Sequence, residues 1–271
     1  MRIESLQNPR VKRVLLLQQK ARERQKQKLF VVEGSREVAR ALKSGFELEE
    51  LWSISDNVIS SFKISEKQFI SCSSAVFSKI TYREHAAEVV AVFKTKTLAL
   101  SNLILPKNPL LVILEGIEKP GNIGAVLRTC NGLKVDAVIV CDSKVDLFNP
   151  NIIRNSLGGF FDTQIAATSS VEAIEYLNEK NISIAATYLK ASKNYLDVDY
   201  TKSKAIVFGS EANGISDIWV KNTSERIIIE MNGIVDSLNI SVATAIVASE
   251  AIRQRRNKKA PEKIRGLTPN Q

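Results

Sequence analysis

The sequence predicts an α/β protein in two parts: a small N-terminal α/β domain, then a larger domain built on a parallel sheet flanked by helices. Three observations predict it. The chain has 271 residues, long for one hydrophobic core and comfortable for two. From Leu29 onward, short apolar runs alternate with segments of helical character, the pattern of strands joined through helices. Between residues 97 and 109 the alternation is interrupted by a stretch punctuated by Pro106 and Pro109, which reads as a linker.

Residues 1–28 form a basic, helical extension. Asn8 and Pro9 supply a cap and a first helical residue, and Val11, Val14, Leu15 and Leu17 make an apolar stripe. The remainder of the extension is polar and is expected to be helical only against a partner. The first domain spans 29–96. Its expected elements are a strand at Leu29–Gly34, a helix at Ser35–Leu42, strands at Leu48–Ile54 and Gln68–Ile70, a helix at Ser73–Ile80 and a closing strand at Glu88–Lys94. The second domain spans 110–256. Leu110–Gly116 (LLVILEG) is a β-branched, fully buried type of strand. Helix Asn122–Leu133, strand Ala137–Cys141, helices Ile152–Leu157 and Val171–Glu179, strands Ser183–Thr187, Ala205–Phe208 and Arg226–Ile229, and a long helix Leu238–Arg256 follow. Uninterrupted apolar strands between helices argue for a parallel sheet covered on both faces. Residues 257–271 are a basic tail.

Composition excludes several classes. Apolar residues make up 44% and charged residues 25%, globular values that exclude a disordered chain. The longest apolar runs are strand-sized, too short for a membrane span, and Met1–Arg13 lacks the apolar stretch of a secretory signal. Cys72, Cys130 and Cys141 are sparse and odd in number. They fit a reducing, cytoplasmic setting rather than a disulfide framework, and with one His they do not suggest a metal site. The net charge of +9 is unevenly placed. Residues 1–28 hold nine Lys/Arg against two Asp/Glu, and residues 253–271 hold seven against one. The span between them holds 22 against 26, a net of −4. Two basic ends suit a polyanion, because neutralised phosphates release counterions; they equally suit solvated chain ends.

Three strand-to-loop junctions of the second domain carry candidate chemistry, since ligands of open α/β sheets gather at strand carboxyl ends. The first is LEGIEKPGNIGAVLRTC, with Asn122 and Arg128 six residues apart. Arg128 sits among Ala125, Val126 and Leu127. An inward-facing Arg there is costly unless it meets an anion; an Arg on the outer face of an amphipathic helix is the plain alternative. No dinucleotide or nucleotide-triphosphate fingerprint is present. The second is IVFGSEANGIS, where a strand runs into Gly209 and Glu211 follows; Ser210 or Glu211 could simply cap the next helix. The third is the segment from Ile227 through Met231 to Ser237-Leu238-Asn239, at the start of a long helix whose first N–H groups are free donors.

Singly, each junction reads as an ordinary turn or cap. In order, Asn-x-Gly-Ala-x-x-x-Arg, Gly-Ser-Glu-x-x-Gly and Ser-Leu-Asn-x-Ser-x-Ala resemble the three motifs of the SpoU/TrmH family of RNA ribose 2′-O-methyltransferases. NPNIIRNSLGGFF, with Arg154, Ser156 and Gly158, is similar to a fourth family segment. Ile3–Lys12 and FVVEGSREVARAL resemble the family's substrate-binding domain. The likeness covers nearly the whole chain. The sequence departs from the family at Lys119, Asn131, Ala212 and Glu230, none of them a polar residue expected to act.

The resemblance implies a SPOUT fold with a trefoil knot, which periodicity alone does not show. It implies S-adenosylmethionine as cofactor, with Gly209, Ile229 and Leu238 at contacting positions and Thr187 and Met231 as further contacts. It implies that Arg128 is the catalytic residue. Because a guanidinium stays protonated, the expected role is to clamp phosphate and to donate to the 2′-oxygen, rather than to act as a simple base. Asn122, Glu211, Ser237 and Asn239 would position Arg128, the ribose and the loops. Arg154, with Arg10, Lys12 and Arg13 of the extension, would contact RNA, and the C-terminal domain would form a homodimer. The extra N-terminal domain favours ribosomal RNA over tRNA. A tRNA enzyme, or a non-catalytic RNA-binding protein of ribosome assembly, remains the alternative. His85, Cys130, Trp52 and Trp219 read as structural, and Phe30, Phe160 and Phe161 as core residues ahead of base-stacking ones.

Overall fold

A computed structural model describes residues 2–82 and 88–259. The chain divides into two compact units. One comprises Met1–Leu98, Glu118–Arg128 and Lys144–Thr163; the other comprises Ala99–Ile117, Thr129–Ser143 and Gln164–Gln271. Residues 118–128 and 144–163, which lie inside the span expected for the second domain, thus cluster with the N-terminal residues.

The first unit begins with α1 (Pro9–Gln19) and α2 (Ala21–Gln27), then β1 (Leu29–Glu33), α3 (Ser35–Lys43), β2 (Leu48–Ser53), α4 (Val58–Phe62), β3 (Phe69–Ser71), α5 (Ser74–Ile80) and β4 (Val90–Lys94). The Asn8 side chain accepts from the Arg10 amide and Pro9 opens α1, as the sequence indicates. Val11, Val14 and Leu17 are fully buried against Val31, Trp52, Val90 and Val92. Each such side chain contributes about 1.5–3 kcal/mol. The sheet order is β1-β4-β2-β3, with β4 antiparallel to both neighbours and β2 parallel to β3. An aromatic cluster of Phe30, Phe46, Phe93, Phe148, Phe160 and Phe161 fills the other side, with the Phe30 and Phe148 ring centroids 4.8 Å apart. These rings are core, not stacking surfaces.

One expectation for the extension is corrected. Its polar second half is helical within the chain itself, because Arg24 is buried. That guanidinium pairs with Asp146 and donates to the carbonyls of Leu17, at 2.7 Å, and Gln18. A buried cation needs both a counter-charge and filled donor positions, and Arg24 has both.

The second unit is built on β5 (Leu110–Glu115), with α6 (Pro120–Leu133) leading on to β6 (Ala137–Cys141). The segments α7 (Pro150–Ser156) and α8 (Gly159–Asp162) belong to the first unit. Then come β7 (Ile165–Thr168), α9 (Ser170–Glu179), β8 (Ser183–Thr187), β9 (Lys193–Asn194), β10 (Lys204–Phe208), α10 (Asp217–Asn222), β11 (Glu225–Ile228) and α11 (Ile240–Lys259). Seven strands form one sheet in the order β7-β6-β5-β10-β8-β11-β9, every neighbouring pair parallel. Leu111, Ile113, Ala137, Ile139, Ala205 and Val207 pack on one face with Ala173, Leu177 and Trp219. Val112, Leu114, Val138, Val140, Ile206 and Phe208 alternate with them and are also buried. Apart from Glu115 at the end of β5 and Lys204 at the start of β10, the strands β5, β6 and β10 are therefore apolar throughout.

The expected linker is not free. Leu100, Leu103 and Leu105 pack against this core, and Ile104 exchanges hydrogen bonds with the Gln164 side chain at 2.7 and 2.9 Å. Arg255 of α11 donates to the carbonyls of Asn108, Pro109, Tyr200 and Lys202. No helix among the described residues is long and apolar enough to cross a membrane. His85 and residues 260–271 of the basic tail lie outside the described residues.

Removing one partner of a buried pair strands the other's charge. Arg24→Ala is expected to destabilise the protein by about 3–5 kcal/mol in chemical denaturation, with much of the loss recovered by Arg24→Met combined with Asp146→Leu. An unfolding midpoint for Arg24→Ala equal to wild type would show the pair to be dispensable.

Candidate active site

Parallel strands deliver their carboxyl ends to one edge of a sheet. Here β10, β8 and β11 are consecutive neighbours, and β5 flanks β10. Gly209, Thr187 and Ile229 therefore leave the sheet side by side, although they are far apart in sequence. Gly209 is required by close approach. A Cβ there would lie 2.0 Å from the Gly214 carbonyl carbon, because Ser210 and Gly214 exchange backbone hydrogen bonds of 3.0 and 2.9 Å. The loop between them is a closed, small turn.

Glu211 lies on this turn and accepts from Asn239 Nδ2 at 2.8 Å. The second and third junctions are thereby joined by side chains 28 residues apart. The bland reading of Glu211 and Ser210 as caps is corrected: α10 begins later, with Ser216 at its N-cap. For the third junction the cap is real. Asn239 Oδ1 accepts from the Ser241 amide at 3.0 Å, and α11 starts at Ile240 rather than at Leu238. Ser237 is exposed and donates to Asp236. Ile229, Met231 and Leu238 are half-buried. Among the described residues, no backbone–backbone hydrogen bond involves residues 231–238. Thr187 donates its hydroxyl to the Val207 carbonyl at 3.0 Å, which binds β8 to β10.

The remaining predicted residues belong to the first unit. Asn122 lies half-buried in the first turn of α6. Two residues on, a Cβ at Gly124 would lie 2.6 Å from the Ile152 carbonyl oxygen; the motif glycine is what lets α6 lie against α7. Arg128 is exposed, which corrects the inward-facing reading. Its neighbours Val126 and Leu127 are fully buried while it emerges on the opposite face. Arg154 is half-buried, interacts with Asn151, and lies 4.0 Å from the ring centroid of exposed Tyr82. Arg10 and Arg13 both meet Glu50 at 2.7 Å, so their charge is partly compensated, whereas Lys12 is exposed.

Sequence reasoning passed over Glu115 and Tyr82. Glu115 is a carboxylate at the end of a wholly apolar strand, and that incongruity was the available signal. It is 7% exposed and accepts from Ser216 and Ser170. The cysteines are free and buried. Burial pushes the Cys130 thiol up to about 12 and the Cys72 thiol up to about 11, and raises Cys141 as well.

Residues 109–249 match the SpoU rRNA Methylase family, and residues 8–91 match an MRM3-like substrate binding domain. The chain belongs to the SpoU rRNA methylase family. The motif resemblance read from Asn122 to Asn239 is thereby borne out. The 23S rRNA (guanosine(2553)-2′-O)-methyltransferase RlmP of Bacillus subtilis is 27% identical over 90% of this chain and 96% of its own length. The tRNA (guanosine(18)-2′-O)-methyltransferase of Thermus thermophilus is 36% identical, over 54% of this chain and 75% of its own. An AdoMet-bound rRNA methyltransferase from Sinorhizobium meliloti superposes with a TM-score of 0.86 at 26% identity, covering 93% of this chain and 97% of that one. The α/β fold with its parallel sheet is that of these SpoU methyltransferases.

A thiol whose pKa is raised carries little thiolate, the reactive form, at neutral pH. Cys130, although two residues from Arg128, is therefore expected to resist iodoacetamide at pH 7.5 in the folded protein and to react fully in denaturant. Rapid alkylation of Cys130 under native conditions, read by peptide mass spectrometry, would contradict this assignment.

Proposed function

We propose that this protein transfers a methyl group from S-adenosylmethionine to a ribose 2′-hydroxyl of RNA, and that the RNA is 23S ribosomal RNA. The observation that carries the choice of RNA is the extent of the matches. The B. subtilis 23S enzyme aligns over 90% of the chain, the T. thermophilus tRNA enzyme over 54%. The substrate-binding match at residues 8–91 gives the chain a second domain beside the methylase match at 109–249. A tRNA substrate is the second reading, since the T. thermophilus tRNA enzyme is 36% identical within its aligned part.

The carboxyl edge of the sheet fits the cofactor. Ile229, Met231 and Leu238 offer half-buried apolar surface, and the irregular backbone of residues 231–238 offers N–H and C=O groups not committed to secondary structure. Apolar walls with a few polar groups suit an adenine and an amino acid. When bound, S-adenosylmethionine supplies a methyl group on a positively charged sulfur. The chain's own task is to hold the ribose and to make its hydroxyl a better nucleophile.

Arg128 is the residue for that task. It stays cationic, and its exposed fork suits an RNA phosphate bidentately. A further N–H donated to the 2′-oxygen stabilises the negative charge that develops as the proton leaves. The Glu211–Asn239 bond makes the two cofactor-side loops move together. Asn122 and Ser237 act as positioning groups. Arg154 and Lys12 serve the RNA backbone, with Arg10 and Arg13 sharing their charge with Glu50. Exposed Ile234, Val235 and Val242 support pairing with a second copy of the chain, and sedimentation as a monomer at micromolar concentration would remove that part of the reading.

The deciding experiment incubates the protein with methyl-labelled S-adenosylmethionine and separated unmodified rRNA and tRNA. Label in an alkali-resistant linkage of 23S rRNA is the expected outcome; transfer only to tRNA would replace the substrate, and transfer to neither would sink the activity. Arg128→Ala is expected to lower kcat by at least about 100-fold while the Kd for S-adenosylmethionine stays within about twofold. Near-normal turnover in that variant would refute the role given to Arg128.

A further inference from the structure

We propose that Glu115 is a positioning residue for S-adenosylmethionine, acting through Ser216 on the loop from Gly209 to Ser216; this rests on the cofactor reading above. Glu115 ends β5, and β5 pairs directly with β10, the strand that leads into the loop. Its carboxylate thus stands beside the exit of the neighbouring strand. It accepts from the Ser216 amide at 2.8 Å and from the Ser216 hydroxyl. A longer bond of 3.4 Å comes from Ser170, whose oxygen in turn accepts from Trp219 Nε1 at 2.8 Å.

The loop is held at several points. Its middle is closed on itself by the Ser210–Gly214 bonds, so it moves as a small rigid turn. At its start Gly209 continues from β10. At its end Ile215 is buried, the Ser216 amide and hydroxyl donate to Glu115, and the Ser216 carbonyl accepts from Trp219 and Val220 of α10. Ser216 sits at the N-cap of α10 but makes no side-chain cap bond, because its hydroxyl is turned to Glu115 instead. An N-cap serine normally bonds the amides of its own helix, and here that bond is given up. The turn held this way carries Glu211, which accepts from Asn239 of the third junction. Glu115 therefore connects to both cofactor-side junctions: by hydrogen bonds to Ser216, through the backbone of the closed turn to Glu211, and from Glu211 by a hydrogen bond to Asn239.

Core stability alone does not call for this arrangement. Burying a carboxylate costs several kcal/mol before its bonds form, and apolar replacements of buried charges are often neutral or stabilising. A directed carboxylate does what an apolar side chain cannot: it fixes one amide and one hydroxyl in place.

The test compares Ser216→Ala, Glu115→Ala and the double variant by calorimetric titration with S-adenosylmethionine and by thermal melting. Tyr200→Phe serves as control, since it removes a hydrogen bond from the Tyr200 hydroxyl to the Tyr195 carbonyl that involves no residue of the loop. Ser216→Ala leaves the backbone bond and the packing intact and is expected to fold. Loss of one hydrogen bond to a charged group predicts a Kd raised by about tenfold, with kcat at saturating S-adenosylmethionine within about twofold. Adding Ser216→Ala to Glu115→Ala should change the Kd little further, because the two act as one unit. Tyr200→Phe should lower the melting temperature and leave the Kd unchanged. A wild-type Kd in Ser216→Ala overturns the proposal, and so does a rise in Kd that merely follows the loss of melting temperature across all variants. Failure of the wild-type protein to bind S-adenosylmethionine is a different result, and it overturns the cofactor reading on which the proposal stands.

Discussion

The seven strands of the second unit all run in one direction, and the rest of that unit follows from this. Parallel neighbours cannot be joined by a hairpin; each return needs a crossover. The crossovers through α9, α10 and other segments bury the sheet on both faces, which is why Leu110–Leu114 and Val138–Cys141 are apolar without interruption. The same constraint puts the carboxyl ends of β5, β10, β8 and β11 on one edge. Glu115, Gly209, Thr187 and Ile229 reach that edge although residues 115 and 229 are 114 positions apart in the chain. Ligands of open α/β sheets gather at such an edge, because irregular backbone is tolerated only where the ladder stops.

Close packing fixes some residues as firmly as chemistry does. At Gly124 and Gly209 the nearest backbone atoms stand where a Cβ would be, so these motif glycines are explained by van der Waals radii before any ligand is considered. Their roles differ. Gly124 brings α6 onto α7, within the unit that carries Arg128 and Arg154. Gly209 lets a strand turn sharply into a closed loop, where Glu211 is held for Asn239. A residue can thus be indispensable to a site without touching the reacting atoms.

Internal pairing decides which cations are left for an outside anion. The N-terminal extension is strongly basic, yet Arg24 is committed to Asp146, and Arg10 and Arg13 to Glu50. These pairs order the extension. They also reduce the charge available to a polyanion below what the count of nine suggests. Arg128 and Lys12 are exposed instead. The distinction is between cations that build the fold and cations that face solvent, and residue counts do not draw it.

Local pattern made much of the fold legible. The strand at Ala137–Cys141 and that at Ser183–Thr187 have the bounds read from periodicity, and others differ by one or two residues at frayed ends. Elements with weak local signals escaped: β7 is alanine-rich, β9 has two residues, and α8 and α10 are single short turns around glycine or polar residues. The polar α2 escaped because its one buried side chain meets Asp146, 122 residues away. In the site, the order of the motifs identified the family and the residues worth attention. Periodicity left Arg128 open between an inward and an outer face, since a list of apolar neighbours does not say which face of the helix is covered. It passed over Glu115, whose partners lie 55 and 101 residues further along the chain. The sequence by itself thus determined most strands and helices, which depend on side chains a few residues apart, and the family, which is carried by the order of its motifs. Only the tertiary structure decided that Arg128 faces outward and that Glu115 holds Ser216, because exposure and hydrogen bonding are settled between residues that the sequence keeps far apart.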